Sequence, residues 1–196
     1  MLRKDIKFDR PGPAIVQADI DRVTAALGGI QLPQEYERYM LRLNGAAPDI
    51  VLDDRPLSQL LRVWWPVGSP CADDGHGVML GEMHQIDVDP KVASDLLTTH
   101  RDIAHLLPPS SIAFANSAGG GRFLFDLRPD RFGEVLHWSY LHLAGTEMLA
   151  QQPYHNVSWV ARDFIDFLNR IEIEPANWDN WEAALPPDSD LDWRPE

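Results

Sequence analysis

The segment from Ile112 to Trp138 constrains the fold more than any other part of the chain. It reads Ile-Ala-Phe-Ala-Asn-Ser-Ala-Gly-Gly-Gly-Arg-Phe-Leu-Phe-Asp-Leu and then, after a break, Gly-Glu-Val-Leu-His-Trp. Apolar runs on either side of a glycine cluster predict strand, tight turn, strand, loop and strand. Within Arg122–Leu127 the pleat sets Phe123, Phe125 and Leu127 on one face, and Leu124 with Arg122 and Asp126 on the other. Glu134–Trp138 also carries apolar groups on both sides. Both faces of this sheet therefore need cover, most simply from helices.

Helical spacing supplies candidates. Ile20, Val23 and Leu27 share a face within 18–28, with Asp19 as N-cap and Gly28-Gly29 as the stop. Pro33 suits the first turn of a second helix, where its missing N–H costs nothing. Tyr36, Tyr39, Met40 and Leu43 line that helix, and Asn44-Gly45 supplies a left-handed end. The pattern weakens between Ala46 and Asp87. Ile50-Val51-Leu52 suits a short strand, Leu57–Trp65 a helix or an irregular apolar segment, and Glu82–Val88 a strand. Pro66, Pro70 and Asp73-Asp74-Gly75-His76-Gly77 mark a loop. Asp89-Pro90 opens a helix to about Leu107, with Val92, Leu96 and Leu97 inward and Pro108-Pro109 ending it. Val160, Phe164, Phe167, Leu168 and Ile171 predict a last helix over 158–170.

Residues 172–196 differ in composition, with eight acids, one arginine and three tryptophans. Three large aromatic side chains favour burial, which predicts a short helix near Trp178–Leu185 docked on the body, then an acidic tail. The expected organisation is one α+β domain over 1–171 and an acidic, tryptophan-rich extension over 172–196.

Charge narrows the function. Thirty acidic side chains against 17 basic ones give a net −13. Such a field repels phosphate backbones and anionic lipid surfaces, and it steers basic proteins inward. No window reaches 18 uninterrupted apolar residues, and the first ten residues alternate charge with apolar groups, unlike a secretory signal. Cys71 is alone, which excludes an internal disulfide. A cytoplasmic protein is expected, without nucleic-acid or membrane partners.

No catalytic apparatus is legible. Gly119-Gly120-Gly121-Arg122 lacks the spacing and lysine of a phosphate loop and enters a strand, so a hairpin turn explains it better. His100 and His105 are five apart and do not share a helix face, and His137 and His142 meet only if the chain bends between them. His76 beside Asp73-Asp74 lacks spaced partners for a metal. No serine sits in a nucleophile elbow, and Cys71 has no activating helix start. The expectation is a non-enzyme without metal or cofactor. The acids Asp126, Asp130 and Glu134, beside the sheet, are the candidate partner-binding residues, together with Asp53, Asp54, Asp73 and Asp74.

The order of these pieces resembles a known family. Leu32-Pro33-Gln34-Glu35-Tyr36 through Asn44-Gly45 is similar to its leucine-proline, acidic, aromatic and asparagine-glycine helix. Ile112–Gly121 resembles its strand and glycine turn. Phe123–Leu127 with Gly133–Trp138 resembles the next two strands, and Phe164-Ile165-Asp166-Phe167-Leu168 the closing helix. The family is the SUKH superfamily, which includes fungal cell-wall-synthesis regulators and bacterial immunity proteins against polymorphic toxins. The chain departs from it at Asn116-Ser117-Ala118, where an acidic residue is usual, and in a longer region 46–88. The resemblance implies an α+β fold with a central, mostly antiparallel sheet flanked by helices. It implies binding rather than catalysis and, in bacterial members, neutralisation of a cognate toxin, often a nuclease, by direct contact. The negative charge makes a basic toxin domain the expected partner, and a monomer or weak homodimer is expected. The alternative the resemblance implies is a regulator or scaffold that binds a non-toxin protein.

Overall fold

The computed structural model describes residues 1–52, 55–56, 61–66, 77–87, 95–139 and 152–173. The chain begins with β1 (Ile6–Asp9), α1 (Gln17–Ala26), α2 (Gln34–Leu43), β2 (Ala47–Leu52) and β3 (Arg55–Pro56). These three strands form a small antiparallel sheet in the order β1-β2-β3. There follow β4 (Leu61–Trp64), β5 (Gly77–Met83), α3 (Leu96–Ile103), β6 (Ser111–Ser117), β7 (Arg122–Asp126) and β8 (Val135–Trp138). The described elements end with β9 (Val157–Ala161), α4 (Phe164–Asn169) and β10 (Ile171–Ile173). A seven-stranded sheet runs β10-β4-β5-β6-β7-β8-β9, with every neighbouring pair antiparallel. The fold is α+β, with a central antiparallel sheet flanked by helices.

The two faces of β7 seed two cores, as the alternation within Arg122–Asp126 requires. Phe123 and Phe125 join Phe114 and Val135 in the larger core, which α2 and α4 cover. Tyr36 of α2 meets Phe125 at 4.9 Å and Phe164 of α4 at 5.3 Å, measured between ring centres. Phe167 stands edge-on to Phe114 at 5.1 Å and to Phe123 at 5.0 Å. Edge-on and offset rings place a positive rim against a negative face, so the cluster gains more than its buried area alone. On the opposite face Ala113, Leu124, Leu136, Trp138 and Val157 pack beneath Leu107, Leu106 and Ile103, from α3 and the turn after it.

Several predicted elements shift. Leu57–Trp65 is not helical in its described part, because Leu61 and Val63 turn inward while Arg62 and Trp64 alternate outward, the period of a strand. The strand expected at Glu82–Val88 lies earlier, at β5, and ends at Met83. The expected last helix starts too early. Val157–Ala161 pairs with β8 as a strand, suited to its β-branched valines. The helix begins only after Asp163, whose carboxylate accepts the Asp166 N–H at 2.7 Å. α3 is capped by Asp95, whose carboxylate accepts the Thr98 N–H at 2.8 Å; the start expected at Asp89-Pro90 lies outside the described residues. At α1 the N-cap is Val16. Asp19, three positions on, instead reaches back to accept the Val16 N–H at 3.0 Å. Pro33 caps α2 rather than entering it. The helix expected near Trp178–Leu185 also lies outside the described residues.

Candidate functional site

The β6–β7 hairpin gathers polar side chains at its glycine turn. A single 3₁₀ turn, Ala118–Gly120, joins the strands, and Gly119 (φ 72°) and Gly120 (φ 82°) take the left-handed conformation that glycine adopts without strain. Gly121 has an ordinary φ but no room. A methyl group there would lie 2.6 Å from Ser117 Oγ and 2.7 Å from the Trp138 carbonyl oxygen. That closeness lets Ser117 Oγ sit 2.9 Å from His137 Nε2.

This serine–histidine pair is buried and, among the described residues, lacks the third member of a triad. Among the described residues His137 Nδ1 has no hydrogen-bond partner, and none of their acids orients the ring. The imidazole is stacked on Trp65, ring centres 5.1 Å apart, and lies 5.3 Å from Phe123. Burial drives its pKa down to about 4, which keeps the ring neutral. On the other face of β6, His84 is wholly buried, with Nδ1 3.2 Å from the Ala113 carbonyl oxygen and Nε2 2.9 Å from Asn116 Oδ1. Its pKa is also lowered, chiefly by burial. Among the described residues no group of three or more His, Cys, Asp or Glu side chains could hold a metal ion.

The β7–β8 loop, at the opposite end of the hairpin, carries the acids singled out in the sequence. Asp126 is a correction: it is no surface acid but fully buried. Its carboxylate accepts the Arg128 backbone N–H at 3.0 Å and the Arg128 Nε–H at 3.0 and 3.1 Å, a short-range clamp that shapes the loop. Arg128 in turn lies over the Tyr154 ring, 4.3 Å from its centre. Glu134 is half-buried and divided between Arg131, at 3.0 Å, and the Trp159 indole N–H, at 3.0 Å. Asp130 is exposed at the loop tip, beside the exposed Phe132. Asp126 thus ends β7 where the loop begins, Asp130 and Glu134 lie within the loop, and of the three only Asp130 is exposed. Asp53, Asp54, Asp73 and Asp74 lie outside the described residues.

The Ser117–His137 and Asn116–His84 pairs escaped the sequence reading, which looked for short motifs. Hairpin register was the available signal. Once Asn116 faces Arg122, and Arg122 faces Trp138, Ser117 and His137 come together across the turn.

Among the described residues no helix is long and apolar enough to cross a membrane. Comparison with curated proteins and with solved structures finds no significant match. The family model described as SMI1 / KNR4 family (SUKH-1) matches residues 15–170, from the entry to α1 through the end of α4. The chain therefore belongs to the SMI1/KNR4 family of the SUKH group.

Proposed function

We propose that this protein is a non-catalytic binding domain that neutralises a cognate bacterial toxin of the nuclease class by direct contact. The net charge of −13 carries this reading, since a domain that grips phosphate presents a basic surface to be matched. Family membership supports it, through the immunity proteins that the resemblance brings in. Asp130, Glu134 and Phe132 on the β7–β8 loop form the contact: an exposed charge, a second acid held in place by Arg131 and Trp159, and an apolar anchor. Asp53, Asp54, Asp73 and Asp74 add to the attracting field. The test is to mix the purified chain with the toxin domain encoded beside its gene. A complex on size exclusion, and rescue of cells that express the toxin, are the expected results. The absence of both complex and rescue would overturn the reading, and a neighbourhood without a secreted toxin would favour a regulator or scaffold instead.

A further inference from the structure

We propose that the acidic segment 174–196 docks along β1 of its own chain and covers the cations there. Charge is divided unevenly along the sequence. Residues 1–10 carry Arg3, Lys4, Lys7 and Arg10 against Asp5 and Asp9, a basic strip in a protein of net −13. Residues 174–196 carry seven acids against Arg194, together with Trp178, Trp181 and Trp193. The strip forms β1, an end strand of the small sheet, in which Ile6 and Phe8 are buried while Lys7 and Asp9 alternate outward. Lys4 and Arg10 are exposed and Lys7 is half-buried, so all three cations are within reach of solvent.

The acidic segment begins beside this strip. β10 is the outermost strand of the large sheet, and the Trp64 N–H bonds the Arg170 carbonyl on its β4 side. The next carbonyl, of Ile171, therefore points away from β4, and Arg3 Nη1 donates to it at 2.8 Å. The Arg3 N–H also donates to Asn169 Oδ1 at 2.8 Å, and Asn169 Nδ2 donates to the Met1 carbonyl at 3.0 Å. Residue 174 thus follows directly on a strand tied to residues 1–3. Five extended residues from Ile173 to Trp178 reach at most about 17 Å, more than the four residues of β1 span. Asp179 and Glu182 then pair with Lys4, Lys7 and Arg10, and Trp178 and Trp181 lie over the same cations. Exposed ion pairs are individually weak, but a tether this short holds the segment at a high effective concentration. That favours the chain's own segment over a second copy. Covering the strip also removes a positive patch that would repel a basic partner.

The contact forms without any partner, so its test is separate from that of the binding role proposed above. Lys4 and Lys7 are two of the three lysines in the chain, the third being Lys91, so carbodiimide coupling of amines to carboxylates reads the contact directly. The full chain is coupled in dilute, low-salt buffer and its peptides are identified by mass spectrometry. Amide bonds from Lys4 or Lys7 to Asp179 or Glu182 are expected, at a yield unchanged by dilution. Lys7→Gln combined with Arg10→Gln should lower the yield at Lys4. It should also let a glutamate-specific protease cut after Glu182 about fivefold faster, because the released segment is the one cleaved. Absence of these bonds, bonds confined to Glu174, a yield that falls on dilution as for two copies, or equal cleavage in wild type and variant would each overturn the proposal.

Discussion

The Asn44 side chain holds the backbone of Ile86 at both ends of its peptide hydrogen-bonding capacity. Asn44 Oδ1 accepts the Ile86 N–H at 2.7 Å, and Nδ2 donates to the Ile86 carbonyl at 2.8 Å and to the Pro13 carbonyl at 2.7 Å. The same residue ends α2 with φ 39°, so it serves as helix terminus and as splint for the chain leaving β5. Asn44→Ala should cost about 2–4 kcal/mol, because it strands the buried N–H and carbonyl of Ile86. Asn44→Gly relieves the backbone but keeps that loss, so it should not rescue stability. Urea denaturation of both variants measures this, and a loss under about 1 kcal/mol in Asn44→Ala would contradict the splint.

Asn44 also shows how far the sequence could be read. The Asn44-Gly45 pair announced the end of α2 from its chemistry alone, and the β6–β7 hairpin followed from similarly local signals. The splint to Ile86 did not, since 42 residues separate the partners and no local pattern encodes them. The same limit explains the error at β9. Val160 fits a helical face with Phe164 and Phe167, and only the open edge of β8 makes Val157–Ala161 a strand. Asp126 was placed on the correct side of its strand, yet its burial depends on Arg128 folding back over it.

Gly120 and Gly121 are adjacent but needed for different reasons, which substitution can separate. Gly120 has φ 82°, so Gly120→Ala should cost about 1–2 kcal/mol, and Gly120→Asn less, because asparagine tolerates this region. Gly121 lacks space: a methyl would press on Ser117 Oγ, the Trp138 carbonyl oxygen and His137 Nε2, the last at 2.9 Å. Gly121→Ala should cost about 2–3 kcal/mol and Gly121→Asn at least as much. Equal effects of asparagine at both positions in thermal denaturation would refute the distinction.

The Asp126–Arg128 clamp predicts non-additivity. Asp126 is fully buried, whereas the Arg128 side chain keeps 33% exposure, so water screens part of the attraction. Arg128→Met leaves a buried carboxylate without its cation and should cost about 2–3 kcal/mol. Adding Asp126→Leu should return part of that loss, because the carboxylate no longer needs a partner. A double-mutant cycle reads the coupling directly. Additive single effects would show that the pair is not a coupled unit.

Stability should fall on acidification well before the carboxylates titrate. The unfolded chain protonates His137 near the ordinary value of about 6.5, while the folded chain resists until about 4. The unfolded state therefore binds more protons between those values, and stability is full above pH 6.5 and declines as the pH falls toward 4. One pKa unit corresponds to about 1.4 kcal/mol, so His137 alone withdraws about 2–3 kcal/mol between pH 7 and pH 4.5. His84, lowered mainly by burial, steepens the same decline. His137→Gln keeps a polar group near Ser117 Oγ but removes the titration, so it should lower stability at pH 7 and lose less on moving to pH 4.5. Urea denaturation of both proteins at the two pH values decides the matter. Parallel losses in wild type and variant would mean that His137 does not carry the acid sensitivity, whatever its effect on stability at neutral pH.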